Sequence, residues 1–397
     1  MKILLVSQDD SNLVKFGGKH IHQNTLIAAW KATGHEVRCC FPARNPLKLS
    51  IAHRVAYRLT RKWGHYPARY FSNYLDLIRE SLKKSLRGLL SGWLPDVVSA
   101  QDPMAALACA EVFDELGLKT RPAITLTLHG YYSWEMFNYG YYGEQNRAEI
   151  ELTGFALERR ALAAVARVIT VDSRIRDYLR EQFSYAGPID VVFNAIDLRP
   201  FEKARQQKNS VGQVRKLLIT RRMVLKNGVI VAVDAFAKVR RQFDDVRLVM
   251  VGDGTEMENV RQRARSLGVE AFIEFVGAVN HHEIPNYYLS ADILLMPSIP
   301  SDGIEEATSL SMLEGMAAGN LVICSSIGGM KEIVTHGLNG FLVPPADSAA
   351  LSEQILQIIR SDAGDRQRIV SQAQQYVWQN HAAEKHALRI LSLMSEV

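Results

Sequence analysis

Unbroken apolar runs recur along the chain at intervals that leave room for a helix between each pair. The clearest are 2–7 (KILLVS), 96–100 (DVVSA), 123–129 (AITLTLH) and 167–172 (RVITVD), followed by 216–220 (KLLIT), 247–252 (RLVMVG), 293–297 (ILLMP) and 321–325 (LVICS). Apolar strands without alternation, spaced by helices, predict parallel sheets covered on both faces, an α/β fold. Ligands of such sheets bind beyond the carboxyl ends of the strands. Gly17, Gly18, His129, Arg221, Asp253 and Glu306 fall at those ends. The stretch 201–215 (FEKARQQKNSVGQVR) has few apolar residues and predicts a connection between two domains.

The segment 306–319, EATSLSMLEGMAAG, holds two carboxylates eight positions apart around a predicted helix start. Thr308 or Ser309 reads as the N-cap, Leu310, Leu313 and Ala317 keep helical spacing, and Gly319 reads as the stop. Glu306 then lies just before the helix and Glu314 about one turn inside it. The free N–H groups of a first helical turn bind phosphate. Two carboxylates beside them repel phosphate and suit sugar hydroxyls instead. Together these features predict a ligand that is part phosphate and part polyol, such as a nucleotide sugar. A solvated helix cap with one dipole-favoured acid explains the same local pattern.

Composition bounds the function. The 397 residues are 47% hydrophobic and 22% charged, ordinary for a globular protein of two or three domains. Four cysteines (Cys39, Cys40, Cys109 and Cys324) show no metal spacing, which predicts a reduced, cytoplasmic setting. No run is long and apolar enough for a transmembrane helix, and MKILLVSQDD reads as a buried strand rather than a signal peptide. Between Arg44 and Arg87 eleven Lys or Arg face two acids, Asp76 and Glu80, with aromatic residues among them. Over 44–93 this mixture suits an anionic membrane surface, and equally a solvated helical face whose rings pack inward. No nucleic-acid module is recognisable. No G-x-G-x-x-G follows the first strand, which argues against a dinucleotide dehydrogenase.

The order of five blocks resembles the GT-B glycosyltransferases, and within them retaining family 4 (glycosyl transferases group 1). These blocks are VSQDDSNLVKFGGKHIHQNTLIAAWKATGHEV (6–37), FNAIDLRPF (193–201), LVMVGDGTEMENV (248–260), FVGAV (275–279), and the Glu306/Glu314 pair followed by LVICSSIGGMKEIV and HGLNGFLVPP. The resemblance implies two Rossmann-like, doubly wound parallel-sheet domains with an interdomain cleft. It places an acceptor-binding domain at 1–197, joined by a C-terminal crossover helix at about 376–397, and a nucleotide-sugar donor-binding domain at 198–375. It implies transfer of a sugar from a nucleoside diphosphate sugar, UDP before GDP, to an acceptor hydroxyl, with no metal and no cofactor. The expected setting is surface polysaccharide or glycoconjugate assembly, with a sugar or lipid-linked saccharide as acceptor.

The same resemblance assigns roles. Arg221 and Lys226 meet the donor diphosphate, with Arg222 as the alternative arginine because Asn227 reads as a one-residue insertion. Ser309 and Leu310 offer N–H groups to the distal phosphate. Glu306 holds a donor-sugar hydroxyl, with Glu305 as the alternative, and Glu314 takes the ribose hydroxyls. His129 faces the transferred sugar. Gly17 and Gly18 form the acceptor and phosphate turn, while Gly252, Gly254 and Val276 line the base. Ala307 stands where the family most often has Gly. Two other functions fit the same motifs: a non-catalytic nucleotide-sugar-binding or regulatory subunit, and a GT-B enzyme glycosylating small molecules.

Overall fold

The computed structural model describes residues 1–10, 18–43, 68–118, 120–133, 147–202, 214–301 and 305–396. The chain divides into two units, Met1–Phe193 with Glu384–Val397, and Asn194–Ala383. Each is built on a six-stranded, all-parallel sheet.

In the first unit the strands are β1 (Lys2–Val6), β2 (Glu36–Cys40), β3 (Val97–Ala100), β4 (Ala123–Leu128), β5 (Arg167–Thr170) and β6 (Ile189–Val191), in the order β2-β1-β3-β4-β5-β6. The winding reverses between β1 and β3, where Ile3 pairs with both Val37 and Val97. Such a reversal opens a crevice at the carboxyl ends, the usual ligand position. One face of the sheet packs Ile3, Leu5, Val97 and Ile169 against Leu26 and Trp30 of the helix Gly18–Ala32. The same cluster takes Ala387, Ile390, Leu391, Leu393 and Met394 from the last helix, Ala383–Ser395. Trp30 Nε1 donates to Ala387 O at 2.9 Å and ties the two helices.

The described part of the basic segment is the helix Ala68–Leu90 and the turn after it. Its apolar residues Leu75, Ile78, Leu82, Leu86 and Leu90 are buried, as is Trp93. Its cations Arg79, Lys83 and Arg87 pair with Asp76, Glu80, Glu111 and Glu115. In this described part of 44–93 these apolar residues face inward and these three cations are paired. Residues 44–67 lie outside the described residues.

The second unit has β7 (Lys216–Thr220), β8 (Arg247–Val251), β9 (Ile273–Gly277), β10 (Ile293–Met296), β11 (Leu321–Ser325) and β12 (Phe341–Val343), ordered β12-β11-β10-β7-β8-β9. Starting from β7, two strands run to one side and three to the other, the doubly wound order of a Rossmann fold. Its switch point lies between β7 and β10. The apolar runs at 216–220 and 321–325 match their strands residue for residue. The short edge strand β6, Ile-Asp-Val, carries a charge in its middle and has no clear hydrophobic signature, because an edge strand has one neighbour and fewer buried positions.

Candidate functional site

At the switch point of the second unit β7 ends at Thr220, and Arg221 follows it. The Arg221 side chain is buried. Its Nη2 lies 3.1 Å from Glu306 Oε1, and its Nη1 donates to Ser298 Oγ, just past β10. Lys226 Nζ stands 3.9 Å from Glu306 Oε2 and is half-buried. One carboxylate thus meets two cations. Burial pushes the Glu306 pKa up, but the charges of Arg221 and then Lys226 outweigh it and hold the group below its usual 4.5. Arg222 is exposed, forms no part of this pairing and acts on Glu306 only as the weakest of these charges. Its carbonyl accepts from Asn227 Nδ2 at 2.7 Å, so Asn227 closes the loop that carries Lys226. That loop ends at Gly228, φ 62°, where a Cβ would sit 1.7 Å from Pro297 O.

The Glu306 loop is clamped from the β11 side. Glu306 O accepts from Gly329 N at 3.0 Å, and Glu305 Oε2 accepts from Gly328 N at 2.8 Å. Gly328 has φ 57°, and a Cβ there would lie 1.8 Å from Glu306 O. Glu305 therefore turns to the Gly-Gly backbone while Glu306 turns to the cations. Ala307 keeps a negative φ, so the missing glycine costs the loop no strain. Ser309, in extended conformation, is the N-cap of the helix Leu310–Ala318, and Gly319 ends it at φ 81°. Thr308 instead accepts at its carbonyl from Asn194 Nδ2, 3.2 Å away. Ser309 and Leu310 are buried where the first-turn N–H groups have no intrahelical acceptor.

Glu314 lies one turn into this helix in a different electrostatic setting. Its Oε2 accepts from Tyr288 Oη at 2.9 Å, and burial lifts its pKa to about 7, with Tyr288 pulling the other way. Two of the residues expected to line the base, Gly252 and Gly254, have packing reasons for their identity. A Cβ on Gly252, φ 132°, would be 2.0 Å from Arg221 O, and one on Gly254 would be 2.3 Å from Met223 O. These glycines let the β8 turn lie against the 221–223 backbone. Val276 is the extra residue of a bulge, since Met250 pairs with Phe275 and Val251 with Gly277.

In the first unit Gly17 lies outside the described residues, and Gly18 is the first residue of its helix. The next residue, Lys19, reaches the switch point between β1 and β3. Its Nζ is 2.9 Å from Asp102 Oδ2 and 3.0 Å from Asp9 Oδ2. Asp102 also accepts from Ser7 Oγ at 3.1 Å and Gln8 N at 2.9 Å, and caps the helix Pro103–Glu115 through Ala105 N at 2.8 Å. His129 Nε2 is 3.1 Å from Gln101 Oε1, while Gln101 Nε2 donates to Ser99 Oγ at 2.8 Å. That orientation makes Nε2 the ring's donor. Burial, then the positive charge of Lys19, lowers the His129 pKa to about 3, so the ring is neutral at neutral pH. His22 packs edge-on against both His129 and His386, at 4.8 and 5.1 Å between centroids. A cavity of about 240 Å3 opens here, lined among others by Asp9, Lys19, Gln101, His129 and Tyr132.

The sequence pattern singled out Arg221, Lys226, Glu306, Glu314 and His129, and the structure gathers the first three into one contact. It adds Ser298, Thr220 and Tyr288 in the second unit, and Lys19, Gln101 and Asp102 in the first. None of these carries a local motif. Only their position just past a strand end, shared by Ser298, Gln101 and Asp102, gives a signal. Among the described residues no three His, Cys, Asp or Glu side chains gather as a metal site would, and no helix is long and apolar enough to cross a membrane.

Two Rossmann-like sheets, each with a polar cluster at its switch point, fit the GT-B fold of a glycosyltransferase. The family comparisons agree. The model for glycosyl transferases group 1 matches residues 200–376 and that for glycosyltransferase family 4 matches 16–199. The chain belongs to the glycosyltransferases of this group 1 and family 4 type. An uncharacterized glycosyltransferase of Methanocaldococcus jannaschii is 25% identical over 97% of this chain and 96% of its own. A glycogen synthase of Mycobacterium tuberculosis is 27% identical over 93% of this chain and 88% of its own. Among solved structures, Anabaena HepE in complex with UDP matches with TM-score 0.68 and 19% identity, covering 100% of both chains. Sucrose-phosphate synthase of Thermosynechococcus elongatus matches with TM-score 0.74 and 21% identity, covering 100% of this chain and 98% of its own.

Proposed function

We propose that this glycosyltransferase moves a sugar from a nucleoside diphosphate sugar to an acceptor hydroxyl, with retention of configuration and without a metal ion. The contact of Arg221 and Lys226 with Glu306, beside the start of the helix Leu310–Ala318, carries the reading. The bond from the anomeric carbon to the diphosphate breaks, and negative charge grows on the leaving oxygen. Arg221 takes it as a planar fork and Lys226 as a point charge, with Ser309 and Leu310 N–H groups on the distal phosphate. The acceptor hydroxyl attacks on the face the diphosphate leaves, and the departing phosphate takes its proton. Glu306 binds a hydroxyl of the transferred sugar, and Glu314 binds the ribose. Gly252, Gly254 and Val276 border the base. In the first unit, neutral His129 offers a hydrogen bond acceptor to a sugar hydroxyl, and the cavity beside it takes a hydroxylated acceptor.

UDP is the first choice of nucleotide, supported by the UDP complex of HepE. GDP is the second, supported by a GDP-mannose-dependent mannosyltransferase of Mycobacterium tuberculosis, 28% identical over 51% of this chain. The acceptor belongs to a polysaccharide or glycoconjugate, and one held at an anionic membrane surface predicts liposome binding that salt weakens. Thermal shift against UDP, GDP, ADP and TDP without metal tests the donor site. Stabilisation by one of them names the base, since binding to the folded state raises stability by mass action. No shift with any of them removes the donor site.

A further inference from the structure

Tyr288 is wholly buried, and the proposed reaction gives it no task. Its place is over-determined. Asn320 Nδ2 donates to Tyr288 O at 2.8 Å and Ala291 O at 2.7 Å, fixing the end of the helix Ile284–Ser290. The ring meets Phe201 at 6.3 Å between centroids. Its hydroxyl accepts from Thr220 Oγ1 at 2.8 Å and donates to Glu314 Oε2 at 2.9 Å. Ser311 Oγ, from the helix that bears Glu314, donates back to Thr220 O at 3.1 Å. Three elements thus converge on one phenol, which is the sole hydrogen bond partner of the Glu314 carboxylate among the described residues.

We propose that Tyr288 is a positioning residue for the nucleotide: its hydroxyl, fed by Thr220, holds one oxygen of Glu314 and leaves the other to accept from the ribose. This rests on the reading of Glu314 as the ribose ligand. A vicinal diol donates two hydrogen bonds, and only an ionised carboxylate accepts both without spending an oxygen on its own proton. Burial works against ionisation and brings Glu314 to about 7. The Tyr288 hydrogen bond works for it, because a donor stabilises the charged form. Tyr288 itself stays protonated, since burial and the Glu314 charge push its pKa well above the ordinary value. Donation from Thr220 polarises the phenol and strengthens its bond to Glu314.

Among the described residues no cation takes over this work. Just past β7, Arg221 is paired with Glu306. On β11, burial pushes the Cys324 thiol up to about 12, so it is neutral. On the helix Ala363–Asn380, Arg366 donates to Ser361 O.

The test is calorimetric titration of UDP, or of GDP if that is the nucleotide bound, between about pH 5.5 and about pH 8.5, across the ordinary range around a group titrating near 7. The variants are Tyr288→Phe, Thr220→Val and Glu314→Gln. Affinity of the parent chain rises with pH through about 7 as Glu314 ionises. Glu314→Gln lacks that rise and supplies the baseline for titration of the nucleotide's own phosphate. Tyr288→Phe moves the rise upward by about one pH unit, so binding is weakened roughly fivefold at about pH 7 and recovers above it. Thr220→Val, which leaves the phenol in place, moves it the same way by less. A Tyr288→Phe profile parallel to the parent's, weakened or not, overturns the proposal while the donor site stands. If Tyr288→Phe does not fold, an unmoved Thr220→Val profile overturns it in the same way. Failure of the folded parent chain to bind either nucleotide at any pH overturns the donor site and the proposal together.

Discussion

Glu306 and Glu314 are the same side chain eight residues apart, and their surroundings drive them in opposite directions. Glu306 is below its usual value because Arg221 and Lys226 overcome its burial, while Glu314 is raised to about 7 because a phenol is all that offsets its burial. The consequences for stability have opposite sign. Glu306 contributes stability that is present above 4.5 and is lost as pH falls through its lowered folded value. Glu314 keeps a proton in the folded state between 4.5 and about 7, so its contribution falls as pH rises across that window. Glu314→Gln should therefore gain melting temperature relative to the parent on going from about pH 5 to about pH 8, a comparison that scanning calorimetry makes directly. A constant difference would mean that Glu314 is ionised throughout. On the chemical step, Lys226→Ala should lower turnover by roughly tenfold to a thousandfold, as expected for one lost contact to developing charge. Unchanged turnover would take Lys226 out of the mechanism. The spacing of the two glutamates is legible in the sequence, but their divergence is not. It depends on Arg221, Lys226 and Tyr288, which come from other segments.

At the scale of elements, the helix Leu310–Ala318 has the boundaries its residues predict, because the apolar helical spacing and the left-handed stop at Gly319 are local properties, although Ser309 makes no side-chain capping hydrogen bond. The Gly-Gly turn after β11 has a meaning that no local rule supplies. Gly328 is required by a carbonyl 22 positions earlier in the chain, since a Cβ would stand 1.8 Å from Glu306 O. Gly328→Ala should cost roughly 1–3 kcal/mol in denaturant unfolding through strain. It should also lower turnover by at least about tenfold, because the loop that aims Glu306 must move. Normal stability and turnover in that variant would show that the turn does not position Glu306.

For the whole molecule, the last helix is part of the first unit's core although almost the entire second unit separates them in sequence. Ala387, Ile390, Leu391, Leu393 and Met394 all enter the cluster around Ile3, Leu5 and Trp30. Burial of large apolar side chains contributes about 1.5–3 kcal/mol each, and whole domains are stable by only about 5–15 kcal/mol. Deletion of 384–397 should therefore unfold the first unit, detected as loss of its melting transition and exposure of Trp30 to quencher. A cooperative transition surviving the deletion would show that the helix is dispensable. The sequence by itself determined the α/β class, most of the central strands, the start and stop of the Glu314 helix, and the family resemblance. These rest on hydrophobic runs, capping residues and motif order, all of which are written along a continuous stretch of chain. Tertiary structure decided that Arg221 rather than Arg222 pairs with Glu306, that Glu305 faces the Gly-Gly turn, and that Lys19 is held between Asp9 and Asp102. It also decided that Tyr288 stands behind Glu314. Charge pairing and burial depend on distances between segments that only the folded sheet order brings together.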